Sequence, residues 1–516
     1  MPMANDIAQL IVEMGQADFY PHDVVKNIEL VQTHASYVFL TGKYVYKVKK
    51  SVNYGFLDYS TLAKRKYFLE TELRLNQQIV PELYLQVIAI SKQDNRLILG
   101  GVENIIEYTL KMRQFPQENL FSNLLEAEKI SSDRFRELGR VVAQFHNQAA
   151  TSKYISSFGT VEKIQAAFEE NYRQSQKYIG VVQTQGQFTA TKAYSDAFFA
   201  EREDLLLARV KQQKIKECHG DLHLNNICLW QDRILLFDRI EFNESFRFVD
   251  TMYDVAFTVM DLEARNKLEF ANIFLNSYLE NTGDWEGLLV LPLYLSRQAY
   301  VRAKVNSFLL NDSQVSESER QSAKQLARNY YRQAYQYTQA QSGKTGKLIL
   351  MSGLSGSGKS TVARTIARKI GAIQIRSDAV RKHLAGIPLE QQATDAIYTA
   401  SMSQKTYDRL LELGVRLAQA GYTVILDAKY DRLAWRQPVI VQAQEQNIPL
   451  QIFYCTAPIA VLGDRLSQRQ GDISDAGVAL INSQMAEAES FTPAERAYVT
   501  TIDTTQENWI DVIDAW

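Results

Sequence analysis

Residues 29–112 contain short runs rich in β-branched and aromatic residues, separated by glycine, asparagine and aspartate. Such runs predict β-strands joined by tight turns. The predicted strands are Ser36–Leu40, Tyr44–Val48, Leu83–Ile90 and Arg96–Leu99. Between the two hairpins, Thr61–Gln78 has apolar residues at helical spacing, which predicts one helix. The region of about 25–112 is therefore predicted to be a small β-rich lobe.

Apolar residues change to helical spacing over residues 131–340. Two short predicted strands, Ile227–Trp230 and Arg233–Phe237, interrupt this pattern around the turn residues Gln231 and Asp232. The pattern predicts a large helical lobe over about 113–340. Together with the β-rich lobe it forms a predicted first domain, residues 1–340, of the α+β class.

A second domain is predicted after a short polar connection at residues 341–347. Over residues 348–516, buried-strand runs alternate with helical patterns, including a helix at Thr406–Ala420 that ends at Gly421. The predicted strands are Leu348–Met351, Ile373–Ile375, Thr423–Leu426, Leu450–Cys455 and Tyr498–Ile502. This alternation predicts an α/β fold with a parallel sheet and helices on both faces.

Composition narrows the class of protein. A chain of 516 residues is long enough for two or three domains. Its formal net charge of −2 disfavours nucleic acid as a partner. The three cysteines, Cys218, Cys228 and Cys455, form no CxxC pair, which favours a reducing, cytoplasmic location. The sequence shows no signal peptide and no stretch that could span a membrane, so we expect no membrane association.

The sequence GLSGSGKST at residues 353–361 fits the P-loop pattern G-x-x-x-x-G-K-[ST]. Its glycines let successive backbone N–H groups face phosphate oxygens, and the following helix directs its positive N-terminal end at the same anion. The predicted nucleotide-binding residues are Gly353, Ser355, Gly356, Ser357, Gly358, Lys359, Ser360 and Thr361. Lys359 is expected to reach the β- and γ-phosphates, and the Ser360 hydroxyl to ligate Mg²⁺.

Residues beyond the P-loop favour a kinase over a motor ATPase. Asp427 ends a predicted strand and is expected to support Mg²⁺, but no glutamate follows it to activate water. Asp378 is a candidate base for an acceptor hydroxyl, with Arg381 neutralising phosphate charge. Asp378 also precedes a predicted helix at Ala379–Leu384, so the alternative is a helix N-cap, a role compatible with that of a base.

Two arginines further on, Arg465 and Arg469, lie four residues apart, on one face of a predicted helix. They are candidates to close over the nucleotide phosphates as a lid. A solvated charged face is the alternative interpretation.

A second phosphate-handling motif is HGDLHLNN at residues 219–226. Asp221 and Asn226 have the spacing of a kinase catalytic loop, in which the aspartate deprotonates an acceptor hydroxyl and the asparagine binds Mg²⁺. Asp238 follows the next strand and would bind metal that bridges the nucleotide phosphates. His219 is expected to hold the loop backbone by hydrogen bonding rather than to bind zinc with His223.

These residues resemble the aminoglycoside phosphotransferase and choline kinase superfamily, over about residues 25–335. The resemblance implies a protein-kinase-like bilobal fold. It makes Lys47, in YVYKVKK, the candidate lysine that binds the α- and β-phosphates, although Lys49 shares its strand face. The partner glutamate on the predicted helix is Glu72 or Glu70.

Residues 347–516 resemble the small P-loop kinases in four motifs: the P-loop, SDxxR at 377–381, VILDA at 424–428 and RxxxR at 465–469. That group includes zeta-toxin-type and gluconate-type kinases, chloramphenicol phosphotransferase and 5′-hydroxyl polynucleotide kinases. The whole chain resembles bacterial fusions of an aminoglycoside phosphotransferase-like domain with a P-loop kinase domain.

We therefore predict a bifunctional, ATP- and Mg²⁺-dependent phosphotransferase. Each domain would transfer the γ-phosphate of ATP to a hydroxyl of a sugar, sugar nucleotide or amino alcohol. The alternative is a single active P-loop kinase whose N-terminal domain binds or regulates. The expected partners are ATP and small-molecule phosphoacceptors; the sequence does not indicate an oligomeric state.

Overall fold

The computed structural model describes residues 4–24, 27–55, 57–312, 315–340, 344–392, 397–468, 473, 480–506 and 509–514. The chain forms two compact units. The first consists of Met1–Ser131, Gln148–Lys163 and Leu207–Thr258, and the second of Ser132–Asn147, Ile164–Leu206 and Val259–Trp516. These units do not follow the predicted linker at 341–347, of which residues 341–343 lie outside the described ranges. The division into domains 1–340 and 348–516 stays a prediction.

Fifteen strands occur in the described ranges. They are β1 Glu29–Gln32, β2 Ser36–Leu40, β3 Tyr44–Lys49, β4 Tyr84–Gln93, β5 Arg96–Leu99, β6 Ile105–Arg113, β7 Ile215–Glu217, β8 Ile227–Trp230, β9 Arg233–Leu236, β10 Phe248–Asp250, β11 Lys347–Ser352, β12 Ile373–Arg376, β13 Thr423–Asp427, β14 Leu450–Thr456 and β15 Val499–Asp503.

Twenty α-helices occur in the same ranges. They are α1 Ala4–Met14, α2 Leu62–Gln77, α3 Phe121–Glu126, α4 Ser132–Gln148, α5 Lys153–Ser156, α6 Val161–Ser175, α7 Gln185–Glu201, α8 Glu203–Lys211, α9 Glu244–Arg247, α10 Thr251–Ala264, α11 Leu268–Thr282, α12 Leu291–Phe308, α13 Glu317–Ala340, α14 Lys359–Ile370, α15 Ser377–Ala385, α16 Ala400–Gln419, α17 Leu433–Glu445, α18 Ile459–Ser467, α19 Leu480–Glu487 and α20 Trp509–Asp514.

The first unit contains a six-stranded sheet of order β1-β2-β3-β6-β4-β5, in which every neighbouring pair is antiparallel. Both predicted hairpins are present. Strand β6, which was not among the predicted strands, lies at the centre between β3 and β4. Helix α2 begins after Thr61, whose side chain accepts a hydrogen bond from the Lys64 backbone N–H. In the same unit β8 and β9 form the second, smaller predicted hairpin.

The second unit contains a five-stranded sheet of order β12-β13-β11-β14-β15, in which all pairs are parallel. Buried residues of β11, β13 and β14 pack against α14 through Ile349, Ile425, Phe453, Val362 and Ile366. Such strands are buried on both faces, which explains their nearly continuous apolar sequences. Both predicted fold classes are confirmed by the sheets: α+β for the N-terminal region with its antiparallel sheet, and parallel α/β for the P-loop region.

Two predicted helix starts in the second unit were wrong. Helix α16 begins at Ala400 rather than Thr406, because the Thr399 side chain accepts a hydrogen bond from the Met402 backbone N–H and caps it earlier. Asp378 is not an N-cap. Helix α15 begins at Ser377, its N-cap position is Arg376, and Asp378 lies inside the first turn, where a carboxylate favours the helix dipole.

The edge strand β12 is covered by α11, within the second unit. Asn276 Oδ1 accepts a hydrogen bond of 2.7 Å from the Gln374 backbone N–H. The side-chain amides of Asn272 and Asn276 both donate to the carbonyl oxygen of Ala372, at 2.9 and 3.0 Å. These amides satisfy backbone groups that an edge strand otherwise leaves unpaired.

No helix in the part of the chain that the structure describes has both the length and the apolar character needed to cross a bilayer.

Two candidate phosphotransfer sites

The first candidate site is centred on Lys47 of β3. Its Nζ lies 2.8 Å from Glu72 Oε1 of α2 and 2.7 Å from Asp238 Oδ1, which follows β9. Burial by itself would lower the pKa of Lys47, but Asp238 and then Glu72 outweigh burial and raise that pKa well above its usual value. Glu70, the other candidate partner, is exposed and lies beside Lys66 on the same helix. The contact with Lys47 is therefore made by Glu72.

Lys49, on the same strand face, is the more deeply buried of the two lysines. Its Nζ lies 2.8 Å from Glu72 Oε2 and 2.5 Å from Glu241 Oε1. The Tyr59 hydroxyl also donates to Glu241. Glu72 is thus shared by two lysines, and Lys49 is enclosed by protein groups while Lys47 faces Asp238. Glu241 and Tyr59 were not predicted from the sequence, and no local motif marks either of them.

Asp221 and Asn226 approach each other across the HGDLHLNN loop. Asn226 Nδ2 donates to the Asp221 carbonyl oxygen at 2.9 Å and to Asp221 Oδ2 at 3.2 Å. His223 Nδ1 accepts from the Asn225 backbone N–H, which leaves the proton on Nε2, 3.4 Å from Asp221 Oδ2. The Asp221 carboxylate is therefore oriented by two side chains of its own loop.

His219 and Asp254 hold the backbone of this loop by hydrogen bonds. His219 Nε2 donates to the Phe237 carbonyl oxygen at 2.8 Å, and burial lowers the pKa of this imidazole, so it stays neutral. The Asp254 carboxylate accepts from the backbone N–H groups of His219 and Gly220, at 2.7 and 2.8 Å. These contacts agree with the predicted backbone role of His219.

Asp238 has a positive φ of 63°, which few non-glycine residues adopt. Its backbone N–H donates to the Tyr84 hydroxyl at 3.0 Å, and its side chain remains about two-fifths exposed. A strained backbone held in place by neighbours is typical of functional positions. Here the strain turns an exposed carboxylate towards Lys47.

The second candidate site is the P-loop between β11 and α14. Gly353, Gly356 and Gly358 have φ values of 135°, 82° and 86°. A Cβ at Gly353 would come within 2.3 Å of the Cys455 carbonyl oxygen, so only glycine fits there. Ser360 and Thr361 lie in the first turn of α14, with the cradle at its N-terminal end.

The Lys359 side chain contacts the first part of the P-loop. Its Nζ donates to the Leu354 carbonyl oxygen at 2.7 Å. Burial lowers the pKa of Lys359, against the raising effect of nearby Asp427 and, more weakly, of Asp378. Asp427 is buried at the end of β13 and accepts a hydrogen bond of 2.8 Å from Gln374 Nε2. The structure therefore brings Lys359, Asp427 and Asp378 into electrostatic contact.

Two distant side chains also bind the P-loop. Gln484 of α19 accepts from the Ser355 backbone N–H at 3.0 Å and donates to Ser355 Oγ at 3.1 Å. Arg465 donates to Thr504 Oγ1 at 2.8 Å and to the Gly356 carbonyl oxygen at 3.3 Å. Arg465 is thus held against the loop and is not part of a solvated face. Arg469 lies outside the described residues.

Gln484 and Thr504 were missed by the sequence analysis, because neither belongs to a recognisable motif. Thr504 Oγ1 donates to the Ser357 carbonyl oxygen at 2.9 Å, from the loop after β15. The Ser357 hydroxyl itself is buried and has no hydrogen-bond partner among the described residues.

Two buried charged residues of the second unit, Arg381 and Asp431, have polar atoms without a hydrogen-bond partner among the described residues. Arg381 is 8% exposed, its Nε has no hydrogen-bond partner among the described residues, and its guanidinium lies 5.0 Å from the ring centroid of Tyr398. Asp431 is 4% exposed, and neither carboxylate oxygen accepts a hydrogen bond within the same ranges. Its charged neighbour is Lys429, with Nζ 3.3 Å from Oδ2.

Tyr407 connects these groups electrostatically. Burial and then the charge of Asp431 raise its pKa, while Arg381 opposes that shift. Its ring stacks on Trp435 with centroids 4.3 Å apart. Buried polar atoms without hydrogen bonds are rare in folded proteins, so the Arg381 guanidinium and the Asp431 carboxylate, which among the described residues has only the ion pair with Lys429, are suited to receive a ligand. Asp431 could have been found as a second acidic residue shortly after the VILDA strand.

The residues present fit a nucleotide and Mg²⁺ at both sites. At the P-loop, the glycine cradle leaves no room for a Cβ at Gly353 and presents backbone N–H groups to an anion. Ser360 and Asp427 offer the oxygen ligands that Mg²⁺ prefers. At the first site, Asn226 and Asp238 offer the same kind of ligand, and Lys47 is placed to bind phosphate.

Residues 348–491 match the family model described as an AAA domain. The match begins one residue after the start of β11 and includes Lys359, Asp378, Asp427 and Gln484. The P-loop region is thus similar to an AAA domain along most of its length.

Over the whole chain, similarity extends to a Mycobacterium tuberculosis protein, Uncharacterized protein Rv2004c. The two are 27% identical over 466 residues, which cover 90% of each chain. Among solved structures, a sugar kinase from Janibacter sp. is 24% identical and covers 33% of this chain and 94% of its own, with a TM-score of 0.26. A choline kinase from Cryptosporidium parvum is 10% identical and covers 65% of this chain and 95% of its own, with a TM-score of 0.40.

Proposed function

We propose that this chain is an ATP- and Mg²⁺-dependent phosphotransferase with two active centres, each acting on a hydroxyl of a small molecule. The observation that carries the proposal is the ion pair of Lys47 with Asp238, 191 residues away, in the unit that also orients Asp221 and Asn226. A merely structural loop would not need an exposed, strained aspartate beside a buried lysine.

In the N-terminal centre, Asp221 would accept the proton of the acceptor hydroxyl as the hydroxyl oxygen bonds to the γ-phosphorus of ATP and ADP leaves. Asn226 and Asp238 would hold Mg²⁺, and Lys47, fixed by Glu72, would bind the α- and β-phosphates. ATP supplies the transferable phosphoryl group, and Mg²⁺ neutralises its charge. The low solvent exposure around Lys47 strengthens these electrostatic contacts.

In the P-loop centre, Lys359 and the loop N–H groups would bind the β- and γ-phosphates, and Ser360 with Asp427 would hold Mg²⁺. Asp378 is the proposed base. Arg381 and Asp431 would bind the acceptor, Arg381 as a donor and Asp431 as an acceptor of hydrogen bonds. A site with a buried carboxylate and the stacked pair Tyr407 and Trp435 suits a polyhydroxylated acceptor.

The experiment combines a screen with two variants. A panel of sugars, polyols and amino alcohols is incubated with labelled ATP and the full chain, and phosphorylated products are identified by mass spectrometry. Asp221→Asn should lower product formation at the N-terminal centre by about 10³-fold, and Lys359→Ala should do so at the P-loop centre. Each variant should spare the products of the other centre.

The outcomes separate the alternatives. If Asp221→Asn leaves every product unchanged while Lys359→Ala removes all of them, the P-loop centre is the single active kinase and the N-terminal region binds or regulates. If both variants retain full activity on every acceptor, the proposal of two centres is wrong.

A further inference from the structure

A cavity of about 360 Å³ lies in the second unit, where α4 and α11 face α14 and β12. Its wall carries five arginines: Arg136 and Arg140 of α4, Arg364 and Arg368 of α14, and Arg376 of β12. The acidic residues on the wall are Glu280 and Glu390. Asp133 and Asp427 add two carboxylates from outside the wall, next to Arg136 and Arg376. Five guanidinium groups still exceed four carboxylates, and a concave site with excess positive charge concentrates anions.

Four of the five arginines form two pairs along helices. Arg136 and Arg140, like Arg364 and Arg368, are four residues apart, so each pair lies on one face of its helix. Arg136 is paired with Asp133 at 2.5 Å, and Arg364 Nε donates to the Ser360 carbonyl oxygen at 3.0 Å.

Arg140 and Arg368 differ from their helix neighbours. Neither forms a side-chain ion pair or hydrogen bond with any residue in the ranges that the structure describes. Like charges at this spacing destabilise a helix unless they are neutralised. Two guanidinium groups that line one cavity from two helices without a partner in the described part of the chain can both donate charge-assisted hydrogen bonds to an anion.

We propose that this cavity binds a small phosphate-bearing anion, at a site separate from both proposed phosphotransfer centres. The guanidinium groups belong to three elements and so line the cavity from several sides. This arrangement suits a tetrahedral phosphoryl group, because its oxygens point in several directions. No residue of the P-loop lines the cavity, and neither Asp378 nor Arg381 does.

The cavity is also connected to the P-loop centre through β12. Arg376 lies between Glu280, 3.5 Å from its Nη1, and Asp427, 3.9 Å from its Nε. Gln374, another cavity residue, donates to Asp427. An anion bound beside Arg376 competes with Asp427 for the positive charge of Arg376. Binding in the cavity therefore changes the electrostatic environment of Asp427, the carboxylate proposed to support Mg²⁺. The site therefore has the position of a regulatory site.

The test measures binding and requires no activity. The probe is inorganic pyrophosphate without Mg²⁺, titrated into the full chain by calorimetry. A Lys359→Ala background removes most of the contribution of the P-loop. In that background, the double variant Arg140→Ala/Arg368→Ala should bind pyrophosphate about tenfold more weakly, because two charge-assisted contacts are lost. Lys369→Ala is the matched control, since Lys369 is exposed on α14 and does not line the cavity.

Two results would overturn the proposal: equal affinity in the double variant and its parent, or no binding of millimolar pyrophosphate by the Lys359→Ala parent. Arg140→Ala alone removes an exposed side chain and should still weaken binding about threefold. That single variant keeps the test decisive if the double variant folds poorly. Failure of the proposed phosphotransfer would leave these affinities unchanged.

Discussion

The two candidate sites hold their phosphate-binding lysines in opposite ways. Lys47 is neutralised by carboxylates, Glu72 and Asp238, and its pKa is raised. Lys359 donates to a backbone carbonyl oxygen inside a glycine cradle, and burial lowers its pKa. The first site is assembled from side chains far apart in sequence, whereas the core of the second is nine consecutive residues.

The difference shows which kind of change each site tolerates. A site built from paired charges is sensitive to the loss of one partner, because the other is left buried and uncompensated. A site built from backbone N–H groups is sensitive to any side chain that prevents the backbone from curling. The predictions below probe that distinction.

The largest effect on stability is expected for Glu72→Gln. Glu72 is shared by Lys47 and Lys49, so removing its charge should lower the free energy of unfolding of the first unit by about 3 kcal/mol. Chemical denaturation measures the loss. Glu70→Gln is the control and should change the same free energy by less than about 0.5 kcal/mol, because Glu70 is exposed. Equal effects of the two variants would contradict the shared ion pair.

Gly353→Ala should cost about 2 kcal/mol and abolish nucleotide binding at the P-loop, because its φ is 135° and its Cβ would meet the Cys455 carbonyl oxygen. Gly371→Ala provides a control with positive φ but open space around the Cβ. It should cost about 1 kcal/mol and leave nucleotide binding intact. The readouts are thermal unfolding and ATP titration. Retention of ATP binding in Gly353→Ala would show that the cradle is not the binding element.

A smaller effect is expected from pH. Lys359, with a lowered pKa, loses its charge at a lower pH than an ordinary lysine, while Lys47, with a raised pKa, keeps its charge. Raising the pH from 7 to 10 should therefore weaken ATP binding at the P-loop by about fivefold, and binding at the N-terminal site less.

Each affinity in that experiment is measured by calorimetry with the other lysine replaced by alanine, so that one site is observed at a time. The same pH dependence at both sites would show that the contacts of the two lysines do not set their charge.

The parts of each site that could be predicted from sequence are local. The P-loop, the spacing of Asp221 and Asn226, and the parallel strands follow from residues close together in the chain. The choice of Glu72 over Glu70 depends on which face of α2 meets β3, and that is set by packing. Glu241, Gln484 and Thr504 reach their sites through tertiary contacts that no local pattern records.

Asp378 illustrates a different limit. Its sequence context allows an N-cap or a base, and the helix start at Ser377 excludes the N-cap position. The helix begins two residues before its predicted start at Ala379, and that difference changes the place of Asp378 in the helix. Boundaries are also the least predictable feature of a sequence, since helix ends depend on weak local hydrogen bonds.

The asparagines of α11 that cover β12 have a consequence for any shortened form of this protein. Strand β12 is at the edge of the parallel sheet, and its first backbone groups are bound by Asn272 and Asn276. Residues 344–516 produced without α11 would present an open sheet edge, to which a strand of another molecule can add. Self-association of such a fragment would reflect the missing helix and not the quaternary structure of the full chain.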